Sequence, residues 1–226
     1  MLRLPILARA LRGYWWLPRS RGKILQILGG RYEPEQTAHF VRLVRPGATV
    51  IDVGAHAGYY TLLASILAGD SGSVWAFEPD PINARFLRDH MNVNHRRNVH
   101  VEQLAVSDAR GSARFRHGTG SGTGRLDRDG DLDVGTVRLD DFCLEHSIKP
   151  SALKIDVEGG ELAVLDGAAD VIEATRPVIF LSTHSRAGHA ECLRRLRAIG
   201  YTFQPIGAGD LDDAREVLGI PNGSRG

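Results

Sequence analysis

The chain has 226 residues, 42% of them hydrophobic, with 28 Lys and Arg against 27 Asp and Glu for a net charge of +1. That size and balance suit one α/β domain with some added structure, and they argue against a polybasic nucleic-acid binder. Two cysteines, Cys143 and Cys192, support neither a disulfide framework nor a zinc spacing, so a reducing cytoplasm is expected.

The charge is uneven. Arg3, Arg9, Arg12, Arg19, Arg21, Lys23 and Arg31 all precede the first acid, Glu33, so residues 1–32 read as a basic segment ahead of a domain over 33–226. We expect that segment to be a helix packed on the domain with a solvated outer face. The alternative is a weak peripheral contact with an anionic membrane surface or a phosphorylated partner. Arginines at 9 and 12 interrupt the apolar run Leu4 to Leu11, against a secretory signal, and no apolar stretch reaches spanning length.

Glu35 to Val44 predicts a helix stopped by Pro46-Gly47, followed by a strand over Thr49 to Val53 and a helix over Tyr59 to Ala68. A second strand runs from Ser73 to Glu78, and Pro81 opens a helix to about Asn94, a position where its missing N–H is harmless. Val99 to Val106 predicts a third strand and Ser112 to Arg116 a short extended piece. His117 to Gly135, rich in Gly, Ser, Thr and Asp, predicts a mobile surface loop that could serve as a lid. Thr136 to Leu139 then reads as a strand and Asp140 as the cap of a helix through His146.

Leu153 to Val157 is the next core strand, Glu161 to Ala174 a helix, and Pro177 to Thr183 a strand apolar enough to be buried on both faces. A helix over Ala187 to Ile199 and strands over Tyr201 to Ile206 and Arg215 to Ile220 complete the chain. The last two strands leave no room for a crossover helix. The pattern predicts a mostly parallel, seven-stranded Rossmann-like sheet closed by an antiparallel C-terminal hairpin.

The run Thr49-Val-Ile-Asp-Val-Gly-Ala-His-Ala-Gly-Tyr-Tyr60 is a strand, a Gly-containing turn and a helix start, the entrance of a nucleotide site. Gly54 permits a sharp turn, and Gly58 lets the helix begin without a Cβ in the way. Asp52 can hold loop amides or face a ligand cation. Glu78, at the end of the second strand, can accept from the 2′ and 3′ hydroxyls of a ribose, or serve only as an acid near a helix N-terminus. His56 occupies the middle position where a pyrophosphate loop wants glycine. This favours a phosphate-free cofactor such as S-adenosylmethionine over NAD.

These pieces carry a resemblance. Val50-Ile-Asp-Val-Gly-Ala-His-Ala-Gly-Tyr-Tyr-Thr61, Phe77-Glu-Pro79, Ala105-Val-Ser-Asp108, Leu153-Lys-Ile-Asp-Val-Glu-Gly159 and Arg176-Pro-Val-Ile179, in this order, resemble the FkbM family of S-adenosylmethionine-dependent methyltransferases over about residues 33–206. The resemblance implies a class I methyltransferase fold and usually O-methylation. It also implies that Asp52, Gly54, Gly58 and Glu78 line the cofactor, with Leu104, Ala105 and Ser107 flanking the adenine.

Asp156 and Glu158 end the fourth core strand and His184 ends the fifth, so parallel pairing places them beside one crevice. Lys154, Asp156 and Glu158 share one strand face by period two. In the catalytic reading Asp156 or His184 takes the proton of an acceptor hydroxyl, on a small molecule, sugar or glycoconjugate, and Glu158 positions it. In the structural reading Lys154 pairs with a carboxylate and His184 caps the next helix. No close-spaced metal-ligand set is present, so no metal is expected; the metal-assisted alternative would use Asp156, Glu158 and His184. Two rival functions are an NAD-dependent oxidoreductase and a non-catalytic Rossmann-like binding domain.

Overall fold

The computed structural model describes residues 2–7, 9–18, 23–117 and 124–223. The basic segment departs from the expected helix. It forms a small antiparallel pair, β1 (Leu4–Pro5) and β2 (Trp15–Trp16), joined through a 3-10 turn at Arg9–Leu11, with a short helix α1 (Ile24–Leu28) behind it. Ile6, Leu11, Trp16 and Leu17 are buried, so this segment belongs to the core. Its basic residues alternate with those apolar anchors too irregularly for one helical face. Leu2, Leu7 and Leu25 stay exposed.

Helix α2 (Pro34–Leu43), strand β3 (Thr49–Val53), helix α3 (Tyr59–Ala68), strand β4 (Ser73–Phe77), helix α4 (Pro81–Val93) and strand β5 (Val99–Glu102) follow the predicted rhythm. Asp80 caps α4 by accepting from the Ile82 and Asn83 N–H groups, with Pro81 at the first helical position.

The predicted third strand is two. β5 ends at Glu102, and β6 (Ala105–Val106) leaves the main sheet for a four-stranded one with β7 (Gly111–Arg116), β8 (Arg125–Leu126) and β9 (Leu132–Val137), in the order β6-β9-β7-β8. The loop expected over His117 to Gly135 is thereby corrected from residue 124 onward. Gly124 and Gly130 pack against Phe115 so closely that a Cβ at either would overlap it. Residues 118–123 of the expected lid lie outside the described residues.

Helix α5 (Leu139–His146) precedes β10 (Ala152–Ile155). The single helix expected after it is broken into α6 (Glu161–Asp166) and α7 (Ala169–Thr175). A Cβ on Gly167 would lie 2.0 Å from the Ser107 carbonyl oxygen, and Asp140, expected to cap α5, instead accepts from the Val171 N–H in the first turn of α7. β11 (Val178–Ser182), α8 (Arg186–Ala198), β12 (Tyr201–Pro205) and β13 (Glu216–Pro221) complete the chain.

The main sheet has the order β12-β13-β11-β10-β3-β4-β5, with β13 antiparallel to both neighbours and the other pairings parallel. This is the predicted α/β class with its antiparallel C-terminal hairpin. One face packs Leu153, Ile155 and Ile179 on α5 to α8; the other packs Val50, Phe180 and Leu218 on α2, α3 and the N-terminal pair. The carboxyl ends of β3, β4, β10 and β11 meet at one edge, where open α/β sheets bind ligands. Among the described residues no helix is long and apolar enough to cross a membrane.

Candidate active site

A cavity of about 370 Å3 opens at that edge, within the range of small-molecule sites. Its floor is the turn after β3. Gly54 and Gly58 adopt φ of 80° and 92°, which only glycine takes without strain, and His56 between them is also left-handed at φ 50°. Gly54 lines the cavity and Gly58 does not. A Cβ on Gly54 would collide with the Asp156 carbonyl, and one on Gly58 would lie 2.3 Å from Leu87 Cδ1. Gly54 holds the turn against β10, and Gly58 holds it against α4 and so shapes the floor indirectly.

Asp52 is buried on β3. Its Oδ2 accepts from Thr61 Oγ1 at 2.6 Å, while Oδ1 is buried on the cavity wall without a hydrogen-bond partner. Burial raises its pKa against the opposing pull of Lys154 and Thr61. An orphaned carboxylate oxygen is costly unless a ligand donor meets it, and an ammonium group is suited to it.

Glu78 follows β4. Its Oε2 accepts from the His56 N–H at 2.8 Å and its Oε1 from the Asp80 N–H at 2.9 Å, so both oxygens are fixed yet each retains a lone pair for a hydroxyl. Burial pushes this carboxyl up to about 7, the two backbone donors opposing. Leu104 and Ala105 line the cavity beside it. Ser107 does not; its hydroxyl turns to Asp108 Oδ1 at 3.1 Å, and its carbonyl lies under Gly167.

At the other end stand the residues after β10 and β11. Strand β10 stops at Ile155, so Asp156 and Glu158 lie beyond the ladder, and Glu158 has φ 54°. Lys154 is fully buried beside Asp52 in the parallel register, its Nζ 3.2 Å from Asp156 Oδ2 and 5.1 Å from the centre of the Tyr60 ring. Desolvation opposes its charge, but Asp156, Asp52 and Glu33 together outweigh this and leave its pKa raised.

His184 faces both acids: Nε2 is 3.4 Å from Glu158 Oε2 and 3.7 Å from Asp156 Oδ1. The cap of α8 is Ser185, which accepts from the Gly188 N–H, so His184 is released from the capping role. Its Nδ1 is 2.7 Å from Glu161 Oε1. That contact raises the His184 pKa, burial lowers it, and the charges of Glu158 and Asp156 raise it further. Burial likewise lifts the Glu158 carboxyl.

Sequence reasoning named no residue of the wall between these ends. Trp16, Lys23, Ile27, Tyr32 and Glu33 from the N-terminal part, and Arg215 and Glu216 at the start of β13, line the same cavity. Glu216 is opposite Ser182 in the antiparallel register, and burial together with the charges of Glu33 and Asp156 pushes it up to about 7. Only the pairing of β13 with β11 brings it there.

Residues 52–203 match the methyltransferase FkbM domain. The chain belongs to the FkbM methyltransferase family. It is 31% identical over 200 residues to the 31-O-demethyl-FK506 methyltransferase FkbM of Streptomyces tacrolimicus, an overlap of 73% of this chain and 76% of that protein. It is 28% identical over 134 residues to the hexuronic acid methyltransferase AglP of Haloferax volcanii, covering 57% of this chain and 53% of that protein. The crystal structure of the methyltransferase FkbM from Methylobacillus flagellatus superposes with a TM-score of 0.57 at 19% identity, over 81% of this chain and 50% of that one. The chain thus spans from half to three quarters of the lengths of these proteins. The fold is that of the class I methyltransferases, and family membership removes the oxidoreductase and non-catalytic readings.

Proposed function

We propose that the chain transfers a methyl group from S-adenosylmethionine to a hydroxyl of a small molecule, sugar or glycoconjugate. The observation that carries this reading is a single cavity with an orphaned Asp52 oxygen and the fixed Glu78 carboxylate at one end and His184 Nε2 at the other. Asp52 Oδ1 would accept from the cofactor's ammonium, Glu78 from its ribose hydroxyls, and Leu104 and Ala105 would flank the adenine. The turn from Gly54 to Gly58 holds that half of the site in shape. When bound, the cofactor supplies an electrophilic methyl on a sulfonium.

Of the two candidate bases, His184 is the better placed. Both line the cavity, but Asp156 Oδ2 is engaged by the buried Lys154 ammonium, whereas His184 Nε2 has no contact shorter than 3.4 Å to the acids beside it. His184 takes the hydroxyl proton, and Glu158, 3.4 Å away, orients the acceptor by receiving a neighbouring hydroxyl. Relatives named for 31-O-demethyl-FK506 and for a hexuronic acid support an oxygen-bearing acceptor. Thermal unfolding tests the cofactor half: S-adenosylmethionine should raise the Tm and NAD should not. Labelled methyl transfer into an extract of small metabolites and glycolipids tests the rest, and a labelled product lacking a new O-methyl group would refute O-methylation.

A further inference from the structure

Glu161 is a buried carboxylate that none of the cofactor contacts uses. It opens α6 at 3% exposure, and Oε1 accepts from the Gly159 N–H at 2.8 Å as well as meeting His184 Nδ1 at 2.7 Å. The Gly159 contact arises because Gly159 has φ 107°, which folds the turn after β10 back over the first residue of α6. Glu161 is thus held by backbone before it reaches the imidazole.

We propose that Glu161 is the positioning residue of the reaction: it fixes the Nδ1–H tautomer of His184 and so leaves Nε2 as the basic nitrogen facing the cavity. The inference rests on the reading of His184 as base. A carboxylate only accepts, so Nδ1 must carry the hydrogen, and the neutral ring then has its lone pair on Nε2. Two other carboxylates face Nε2, Glu158 at 3.4 Å and Asp156 at 3.7 Å. Both distances exceed a tight charge-assisted hydrogen bond, which leaves His184 Nε2 accessible to an acceptor hydroxyl. As the proton moves to Nε2, the imidazolium is met by Glu161 on one side and by Glu158 and Asp156 on the other. The groups that set its titration are those three acids, with Lys154 behind Asp156.

Histidine 15N NMR on the full chain saturated with S-adenosylhomocysteine tests the proposal, the His184 signals being assigned by their loss in His184→Asn. In the wild type His184 should be the Nδ1–H tautomer when neutral, with a pKa above that of a free histidine. Glu161→Gln keeps an oxygen for Gly159 and Nδ1 but loses the charge, so the pKa should fall by about one unit while the tautomer persists. Glu161→Ala should scramble the tautomer and lower turnover about 100-fold on the acceptor found by labelled transfer, with cofactor affinity within a few-fold. An Nε2–H tautomer in the wild type, or a His184 pKa unmoved in Glu161→Gln, overturns the role of Glu161 and leaves His184 a candidate base. Full turnover by His184→Asn would instead overturn the base assignment, and the positioning role with it.

Discussion

Gly54 and Asp156 touch through their backbones: a Cβ added at 54 would lie 1.9 Å from the Asp156 carbonyl oxygen. The turn after β3 and the strand end that carries the acids are therefore one packed unit. Gly54→Ala combines this overlap with a left-handed φ of 80°. Strain of that kind alone costs about 1 to 3 kcal/mol. We expect a Tm lowered by several degrees and no measurable S-adenosylmethionine binding by calorimetry; wild-type affinity would show that the turn can shift without consequence.

The proposed role of Glu78 makes cofactor binding depend on pH. Its carboxyl titrates near about 7 in the free protein, and hydroxyl donors favour the ionised form. Affinity for S-adenosylmethionine should therefore weaken as pH falls below 7, and Glu78→Gln should flatten that dependence and bind about 10-fold or more weakly. Stability has the opposite slope. A carboxyl raised above its unfolded value stabilises the fold below about 4.5 and loses that contribution as pH rises through about 7, an effect of about 2 to 3 kcal/mol for so buried a group. Urea titrations of wild type and Glu78→Gln at pH 5 and pH 8 would measure the difference.

His90 ties three elements together. Its Nδ1 donates to the Ala57 carbonyl at 2.7 Å, its Nε2 accepts from the Leu17 N–H at 2.9 Å, and Trp16 stacks on its ring at 3.8 Å. Burial lowers its pKa to about 4. The stability it provides is present above about 6.5 and is lost as pH falls through 4. His90→Phe removes both of these buried hydrogen bonds, which should destabilise by about 2 to 4 kcal/mol in chemical denaturation. Because Ala57 lies in the cofactor turn, the same variant should weaken S-adenosylmethionine binding, although His90 is nowhere on the cavity wall.

Asp156 and Lys154 predict a contrast between two substitutions. Asp156→Ala strands the buried ammonium of Lys154, and removing one partner of a buried pair typically costs about 3 to 5 kcal/mol. Asp156 is itself partly exposed, which puts the loss at the lower end. Asp156→Asn keeps an oxygen for Nζ, so it should spare most of the stability while still reducing turnover. Thermal unfolding beside single-turnover kinetics separates the two effects, and equal stability of both variants would show that Lys154 does not depend on Asp156.

The part of the cavity proposed to hold the cofactor was legible as a cluster because its residues follow one another within two strand-turn-helix units, where local patterning and geometry agree. Asp52, Glu78, Leu104 and Ala105 are where the motifs indicate. Gly54 makes the sharp turn that was expected of it, whereas Gly58 clears space for Leu87 and not for a ligand, since a pattern marks positive φ but not which neighbour needs the space. Glu161 could have been read from the acid immediately after Gly159-Gly160. Glu33, Tyr32 and Glu216 could not, because they reach the cavity only through long-range packing and through the antiparallel strand β13. The N-terminal pair was misread as a helix since Trp15 and Trp16 carry no periodicity of their own; their anchor, Asn94, bonds the Trp15 N–H and carbonyl from 79 residues away.

The two extremities of the chain meet over the strand ends. Lys23, Tyr32 and Glu33 come from before the first long helix, Arg215 and Glu216 from the final hairpin, and none lies in a segment that builds the cofactor turn. Changes at these margins can therefore reshape the mouth of the cavity without touching the turn proposed to hold the methyl donor. Two short stretches, 23–33 and 215–216, thus give the cavity a rim that is separate in sequence from its floor.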